Sequence, residues 1–425
     1  MVEHDGGSAS VRGGGPEREW PAGLDVAGLV ADGWRPVPFR EFVLKIYSRC
    51  NLGCDYCYVY EMADQSWRFR SRRMPGAVLE QAAARIAEHV AAHRLDEVTV
   101  VLHGGEPTLA GARYIERAVH TIRRAMRDVA GHDAGVAVRI HTNGTGLTTK
   151  YLRTFDDLGI RVSVSLDGDA AAHDRHRRRP DGAGSHARVS AGLSRLTAGP
   201  YRRLFAGLLC TVDLANDPVA TYESLLSWRP PTVDFLLPHG NWDAPPPGLP
   251  TDAATPYADW LTTVFDRWYE APRRETQVRL FSEIMHIILG GAGTVEGVGL
   301  SPTGFVTVET DGDIEQADTL KSAYTGAAAT GLHVSRDPFD AALLLPSSAV
   351  RQIGVKALSA ECAACPVHHV CGGGLYAHRY RAGSGFANPS VYCRDLFRLI
   401  KHIHARMAAD LLDAVGFSGR SVEPG

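Results

Sequence analysis

From residue 37 to about 240 the chain alternates short β-type runs with helical stretches, a pattern that folds into βα units around a parallel sheet. Six runs have strand character: residues 42–47, 97–102, 136–141, 160–165, 204–212 and 232–237. Between them, residues 78–93, 114–129 and 218–228 repeat apolar side chains at three and four positions, as a helix packed on one face requires. The pattern predicts an α/β fold, a partial (β/α)6 barrel of the TIM-like kind. Loops leaving the C-terminal strand ends of such barrels converge on one mouth, so ligands collect there. The distinctive residues fall at those ends. Cys50, Cys54 and Cys57, spaced C-x3-C-x2-C, follow the first strand; Gly104, Gly105, Glu106 and Pro107 follow the second; Asn143 follows the third; Ser165 and Asp167 close the fourth.

A four-iron, four-sulfur cluster normally takes four thiolates, so three leave one iron open to a chelating ligand. The amine and carboxylate of an amino acid fit that vacancy. When they belong to S-adenosylmethionine, one electron from the cluster cleaves the sulfonium and releases a 5′-deoxyadenosyl radical. A zinc knuckle or a redox pair is the plainer account of clustered cysteines. Zinc, however, wants four donors and usually pairs one C-x2-C with a second nearby. The spacing therefore predicts a cluster and radical chemistry. Gly104 and Gly105 let backbone approach a ligand closely, and Glu106 is placed to accept from the ammonium of S-adenosylmethionine. Asn143, Ser165 and Asp167 are polar groups in reach of its ribose or carboxylate; capping the following helices accounts for each equally well.

Seven of the eight cysteines fall into two groups, and the eighth, Cys210, lies in an apolar run and reads as a small core residue. The second group is Cys362, Cys365 and Cys371, then Cys393. Four thiolates make a closed site, and zinc or a four-iron cluster would use the same donors. The first motif in the same chain favours iron, as an auxiliary cluster that conducts electrons. His368-His369 and His402-x-His404 lack a third donor at helical spacing and read as non-ligands. Residues 309–318 are dense in carboxylates, either a solvated turn or an acidic wall holding a general base. The arginine runs at 68–73 and 175–179 are short enough to be solvated faces, with a hold on anionic groups as the alternative.

With 45 Lys and Arg against 48 Asp and Glu, nothing points to nucleic acid as a partner. No run of about 18 apolar residues occurs, which excludes a membrane helix on length, and the expected location is cytoplasmic. Residues 1–36, rich in Gly, Ala, Ser and Pro, read as a flexible leader, and 37–240 as the barrel. A Pro-rich break at 243–250 opens a stiff linker with bridging helices over 241–300. Residues 301–400 hold the second cysteine group, and 401–425 a C-terminal helix and tail.

Over residues 37–400 the chain resembles radical S-adenosylmethionine enzymes with a C-terminal, loop-rich SPASM-type auxiliary domain, an architecture of peptide maturases. The resemblance rests on Cys50, Cys54, Cys57, the Gly104 to Pro107 motif, Ser165 and the four later cysteines. A full SPASM domain resembles C-x(9 to 15)-G-x4-C followed by C-x2-C-x5-C-x3-C and a last cysteine. Here Ala317 and Leu375 stand at two of the cysteine positions, so the resemblance implies two [4Fe-4S] clusters in all. In related sulfatase-maturing enzymes an aspartate directly after the cysteine replaced here acts as base, which makes Asp318 the catalytic candidate. Residues 37–45, 58–61, 63–67 and 371–380 are similar to FxsB-type maturases. That family's implied activity is a cyclophane crosslink, Cβ of one residue to an aromatic ring, in a ribosomally made precursor peptide, with an external flavodoxin- or ferredoxin-type electron donor. Alternatives are a thioether, formylglycine formation, or a non-catalytic iron–sulfur scaffold.

Overall fold

The computed structural model describes residues 19–129, 134–250 and 252–414. Six strands form the barrel wall: β1 (Glu41–Tyr47), β2 (Glu97–Gly104), β3 (Gly135–Thr142), β4 (Arg161–Ser165), β5 (Phe205–Thr211) and β6 (Thr232–Leu236). They pair in parallel in that order. The connections are helical: α1 (Gly76–His93), α2 (Ala112–Val129), α3 (Thr149–Leu158), α4 (His186–Thr197) and α5 (Pro218–Leu226). Alternation within the strands sorts two faces. On β1, Phe42, Leu44 and Ile46 are fully buried under the helices, each worth about 1.5–3 kcal/mol of apolar burial. Lys45 points to the concave face, in register with His103 of β2. On α2 the buried residues Ile115, Ala118, Val119, Ile122 and Met126 recur at three and four positions. Cys210 is buried on β5, as expected of a core residue.

The sheet does not end with the barrel. After α6 (Pro256–Tyr269), β7 (Gln277–Val278) and α7 (Arg279–Ile288), β8 (Phe305–Val308) returns to pair in parallel with β1. It then turns at Gly312 into antiparallel β9 (Asp313–Glu315) and β10 (Ala329–His333). The C-terminal segment thus extends the barrel's own sheet to ten strands instead of standing apart. The Pro-rich segment is packed rather than spanning solvent: Trp242 donates from its backbone to Tyr380 O (3.0 Å) and from its indole to Pro389 O (2.8 Å). The last helix, α8 (Cys393–Ala414), begins at a cysteine, earlier than residue 401, and packs on α6.

The expected flexible leader also needs correcting. Residues 1–18 lie outside the described residues, but 19–36 are folded, with a helical turn at Val26–Ala31. Trp20 and Leu24 pack on an apolar cluster that contains Phe386, and Phe386 N donates to Trp20 O at 3.3 Å. Burial of that indole supplies what the composition concealed. Among the described residues no helix is long and apolar enough to cross a membrane.

Candidate active site at the barrel mouth

The three-cysteine loop leaves β1 and is woven into neighbouring strand ends. Gly53–Cys54 pairs antiparallel with Arg177–Arg178. Cys50 Sγ accepts from Leu52 N at 3.4 Å and lies 3.7 Å from Asn143 Nδ2, whose other contact is Asn51 Oδ1 at 2.9 Å. The thiols are free of disulfides. Burial, reinforced by Glu106 and the neighbouring sulfurs, pushes Cys50 up to about 12. Burial pushes Cys54 up to about 11 and Cys57 upward as well. Three such thiols ionise together only around a strong cation. No three cysteine sulfurs approach within 4.8 Å of one another, wider than the about 3.8 Å that four thiolates take around one zinc. The donor set fits a polynuclear iron–sulfur cluster.

The glycine motif does something other than expected. A Cβ at Gly104 (φ 151°) would lie 2.1 Å from Tyr47 O, and one at Gly105 would lie 1.9 Å from Tyr60 Oη. What these glycines admit is the cysteine loop's own backbone: Gly105 N donates to Tyr47 O (2.9 Å) and Glu106 N to Arg49 O (3.0 Å). Glu106 is not free for an ammonium. Its buried carboxylate already accepts from Thr108 N (3.0 Å), Thr108 Oγ1 (2.5 Å), Thr142 Oγ1 (2.7 Å) and Asn143 N (2.8 Å). It braces the end of β2 against the end of β3, while Pro107 opens the turn Pro107–Ala110. An ammonium ligand must therefore meet other acceptors.

Asn143 and Asp167 are not helix caps. Asp169 caps the next short helix, accepting from Ala172 N at 2.9 Å, while Asp167 accepts from Tyr56 Oη and from Thr211 N (3.0 Å). Arg177 NH1 donates to the same Tyr56 oxygen at 2.6 Å and stands 3.8 Å from Asp167. Tyr56, Asp167 and Arg177 thereby lock the cysteine loop onto β4. Ser165 ends β4 half-buried with no side-chain hydrogen bond among the described residues, so its hydroxyl is open to a ligand.

Asp318 faces the concave side of the barrel. It forms an ion pair with Lys45 and accepts from Tyr58 Oη at 3.0 Å; Lys45 Nζ also reaches His103 Nδ1 at 3.1 Å. Burial is the largest single influence and would raise the Asp318 pKa, but the surrounding cationic and hydrogen-bonding groups, Lys45 foremost, together outweigh it and hold the carboxyl well below its usual range. Burial lowers His103 to about 3 and both His141 and His239 to about 4, so neutral imidazoles surround one carboxylate. The acidic stretch before it turns away. Arg70 binds Glu315 (2.6 Å), Asp311 (2.5 Å) and Asp313 (2.9 Å), and Lys321 binds Glu309 (2.5 Å) and Glu315 (2.9 Å). That stretch is no wall open to substrate but an ion-paired joint between the mouth and the C-terminal sheet, in which Arg70 and Lys321 hold Glu309, Asp311, Asp313 and Glu315 while Asp311 and Asp313 stay part-exposed. Of its carboxylates, Asp318 is the one paired with Lys45 on the concave face.

Cys362, Cys365, Cys371 and Cys393 line one recess of about 80 Å³, with Val367 and Phe397 among its walls. Burial and the other sulfurs push Cys371 up to about 11 and Cys393 up to about 12. Gly372 (φ 60°) holds the turn, since a Cβ there would meet Gly299 O at 1.7 Å. His368 lines the recess but is committed to Cys365 O at 2.8 Å, and His402 to Asp266 at 2.8 Å. Ala317, at an expected cysteine position, is buried in an apolar cluster with Tyr376, Ala377 and Phe386.

Residues 44–198 match the model of the Radical SAM superfamily. Over that span the chain is similar to radical SAM enzymes. Its cofactors are S-adenosylmethionine and four-iron, four-sulfur clusters. The chain is 28% identical over 367 residues to a serine-type anaerobic sulfatase-maturating enzyme of Klebsiella aerogenes, covering 84% of each protein. It is 24% identical over 287 residues to the cysteine-type enzyme of Clostridium perfringens, covering 66% of this chain and 74% of that one. Among solved structures it superposes on native anSMEcpe with bound AdoMet with a TM-score of 0.73 at 19% identity, over 88% of this chain and 99% of that one. It also superposes on Streptococcus suis SuiB bound to its precursor peptide SuiA, with a TM-score of 0.56 at 13% identity, over 86% and 78% of the two chains. At these identities the superpositions speak for the fold, a radical SAM α/β barrel followed by a C-terminal SPASM-type region.

Two parts of the mouth had little signal in the sequence. Tyr56 was visible inside the cysteine motif, yet Arg177 was one of several arginines in a run that reads as solvated. His103 carried only its strand parity, and Lys45 its parity and its place in the 37–45 segment; the parity places both on the concave face.

Proposed function

We propose that this radical SAM peptide-modifying enzyme joins Cβ of one residue to an aromatic ring within a ribosomally made precursor peptide. The observation that carries the reading is convergence on Asp318. Lys45, Tyr58 and His378 come from three of the segments similar to crosslinking maturases; Lys45 and Tyr58 bind that carboxylate, and His378 follows Tyr58 through the His239 ring. From the fourth segment, Asp64 binds the turn that carries Asp318, through Lys321 O (3.1 Å) and Gly326 N (2.7 Å).

Loaded, Cys50, Cys54 and Cys57 would hold the cluster that supplies the 5′-deoxyadenosyl radical with S-adenosylmethionine, and the four later cysteines a one-electron acceptor. The chain's own side chains do the rest. Ser165 and Asn143 face the cofactor's place, and Tyr56, Asp167 and Arg177 fix the loop that presents it. Asp318, kept ionised by Lys45, takes at its carboxylate oxygen the proton that the crosslinked ring must lose, with Tyr58 orienting it. A flavodoxin- or ferredoxin-type donor is the proposed electron source.

Formylglycine formation is the second reading, favoured by the 28% identity to the Klebsiella enzyme across most of both chains. The two readings differ in product. Reduced enzyme with S-adenosylmethionine and a synthetic precursor peptide carrying an aromatic-x-x motif near its end should give a peptide two hydrogens lighter that resists carbonyl reagents. A product trapped by those reagents establishes formylglycine instead, and no lighter product overturns both. Asp318→Asn should lower product formation by about 10²- to 10⁴-fold while 5′-deoxyadenosine still forms, as expected when a general base is lost.

A further inference from the structure

The rings between the two cysteine sets form a continuous chain. Tyr58, directly after Cys57, meets His239 edge-on with centroids 4.7 Å apart. His239 meets His378 at 5.6 Å, and His378 meets Tyr392 at 5.0 Å, directly before Cys393. Each step lies within ordinary aromatic contact. The chain is anchored along its length: Tyr392 Oη donates to Pro238 O at 2.7 Å, next to His239, and Val391 N donates to His378 O at 3.0 Å. It runs from the mouth, beside Asp318, to the wall of the four-cysteine recess.

Stability does not explain these two histidines. His239 Nδ1 and His378 Nε2 are buried without a hydrogen-bond partner, an arrangement that costs about 1–3 kcal/mol for each unsatisfied group. Ala317, at an expected cysteine position, is packed among apolar residues and offers no ligand for a further cluster. An electron leaving the mouth for the recess has these rings as its packed route. Electronic coupling through a protein weakens steeply across empty gaps, and ring-to-ring contact removes them.

We propose, resting on the function above, that Tyr58, His239, His378 and Tyr392 bridge the electron released by the peptide radical to the four-cysteine site, without themselves being oxidised. The step balances. The 5′-deoxyadenosyl radical takes a hydrogen atom, Asp318 takes a proton, and a four-thiolate iron–sulfur cluster at the recess takes one electron. The peptide ends two hydrogens lighter. Freeze-quench EPR of cluster-loaded enzyme, mixed with S-adenosylmethionine and a synthetic precursor peptide carrying an aromatic-x-x motif near its end, follows the organic radical and the reduced auxiliary cluster separately. Removing the ring in His378→Leu or His239→Leu should slow auxiliary reduction about tenfold or more, a barrier rise of about 1.4 kcal/mol, and let the organic radical accumulate. His378→Phe, which keeps a ring, should retain the parent rate. Leu variants with the parent rate and parent iron content overturn the route, as does a Phe variant as slow as Leu. A parent enzyme that yields no lighter product overturns the proposed function instead, before any variant is made.

Discussion

At the mouth, Cys50, Cys54 and Cys57 hang on polar bonds from several strand ends, through Asn143, Tyr56, Asp167 and Arg177, and the loop stays half-open. In the recess, Cys362, Cys365, Cys371 and Cys393 sit on short turns and the start of α8, fixed by Gly372 and walled by Val367 and Phe397. Burial raises the thiols of Cys50, Cys54 and Cys57 in the first set and of Cys371 and Cys393 in the second, so these need metal charge to ionise. The difference lies in what else can enter. The first set is one thiolate short of filling a cluster and has an unbonded Ser165 hydroxyl at the same mouth; the second has four thiolates and apolar walls. Polar weaving around three sulfurs leaves room to exchange a ligand, whereas closure around four leaves only electrons to exchange.

The sharpest way to break this comparison is at the first set. Cys54→Ala should abolish 5′-deoxyadenosine formation altogether, read by chromatography, and leave the iron of the second set in place. Next in size is the carboxylate between the regions. Lys45→Met breaks a buried ion pair and should cost about 3–5 kcal/mol in denaturant unfolding. It also changes the pH profile in a defined direction. Asp318 in the parent is depressed, so its stabilising, ionised form is complete above the ordinary carboxylate pKa of about 3.9 and is lost only as pH falls through the lower folded value. Product formation in the parent should therefore show no acid limb from Asp318 between about pH 5 and 8. In Lys45→Met burial raises the carboxyl, and an acid limb should appear in that window. The smallest effect belongs to the brace. Glu106→Gln puts an amide donor against hydroxyl and backbone donors and should lower stability by about 1–3 kcal/mol, read as a fall in the urea midpoint.

Much of the mouth could be read along the chain because its parts are local. Strand parity, helical spacing and the C-x3-C-x2-C motif each span a few residues, and the observed strands differ from the expected ones by one or two residues at their ends. The joint between regions could not be read that way. Arg70 meets Asp311, Asp313 and Glu315 across more than 240 residues, and each partner looks solvated by itself. Glu106 shows why a motif's position is easier to infer than its use. The turn sits where expected, but three neighbouring hydroxyl and amide donors at residues 108, 142 and 143 had already claimed its oxygens. The same holds for the leader, whose Gly-rich composition hid Trp20 and Leu24 as packing residues.

The division of labour between the two cysteine regions is tested most directly by Cys371→Ala in the reconstituted enzyme, with 5′-deoxyadenosine and two-hydrogen-lighter peptide measured in the same sample. In this variant 5′-deoxyadenosine should persist while lighter peptide is lost. Lighter peptide formed in its parent ratio to 5′-deoxyadenosine, with the recess shown to lack iron, would contradict that division.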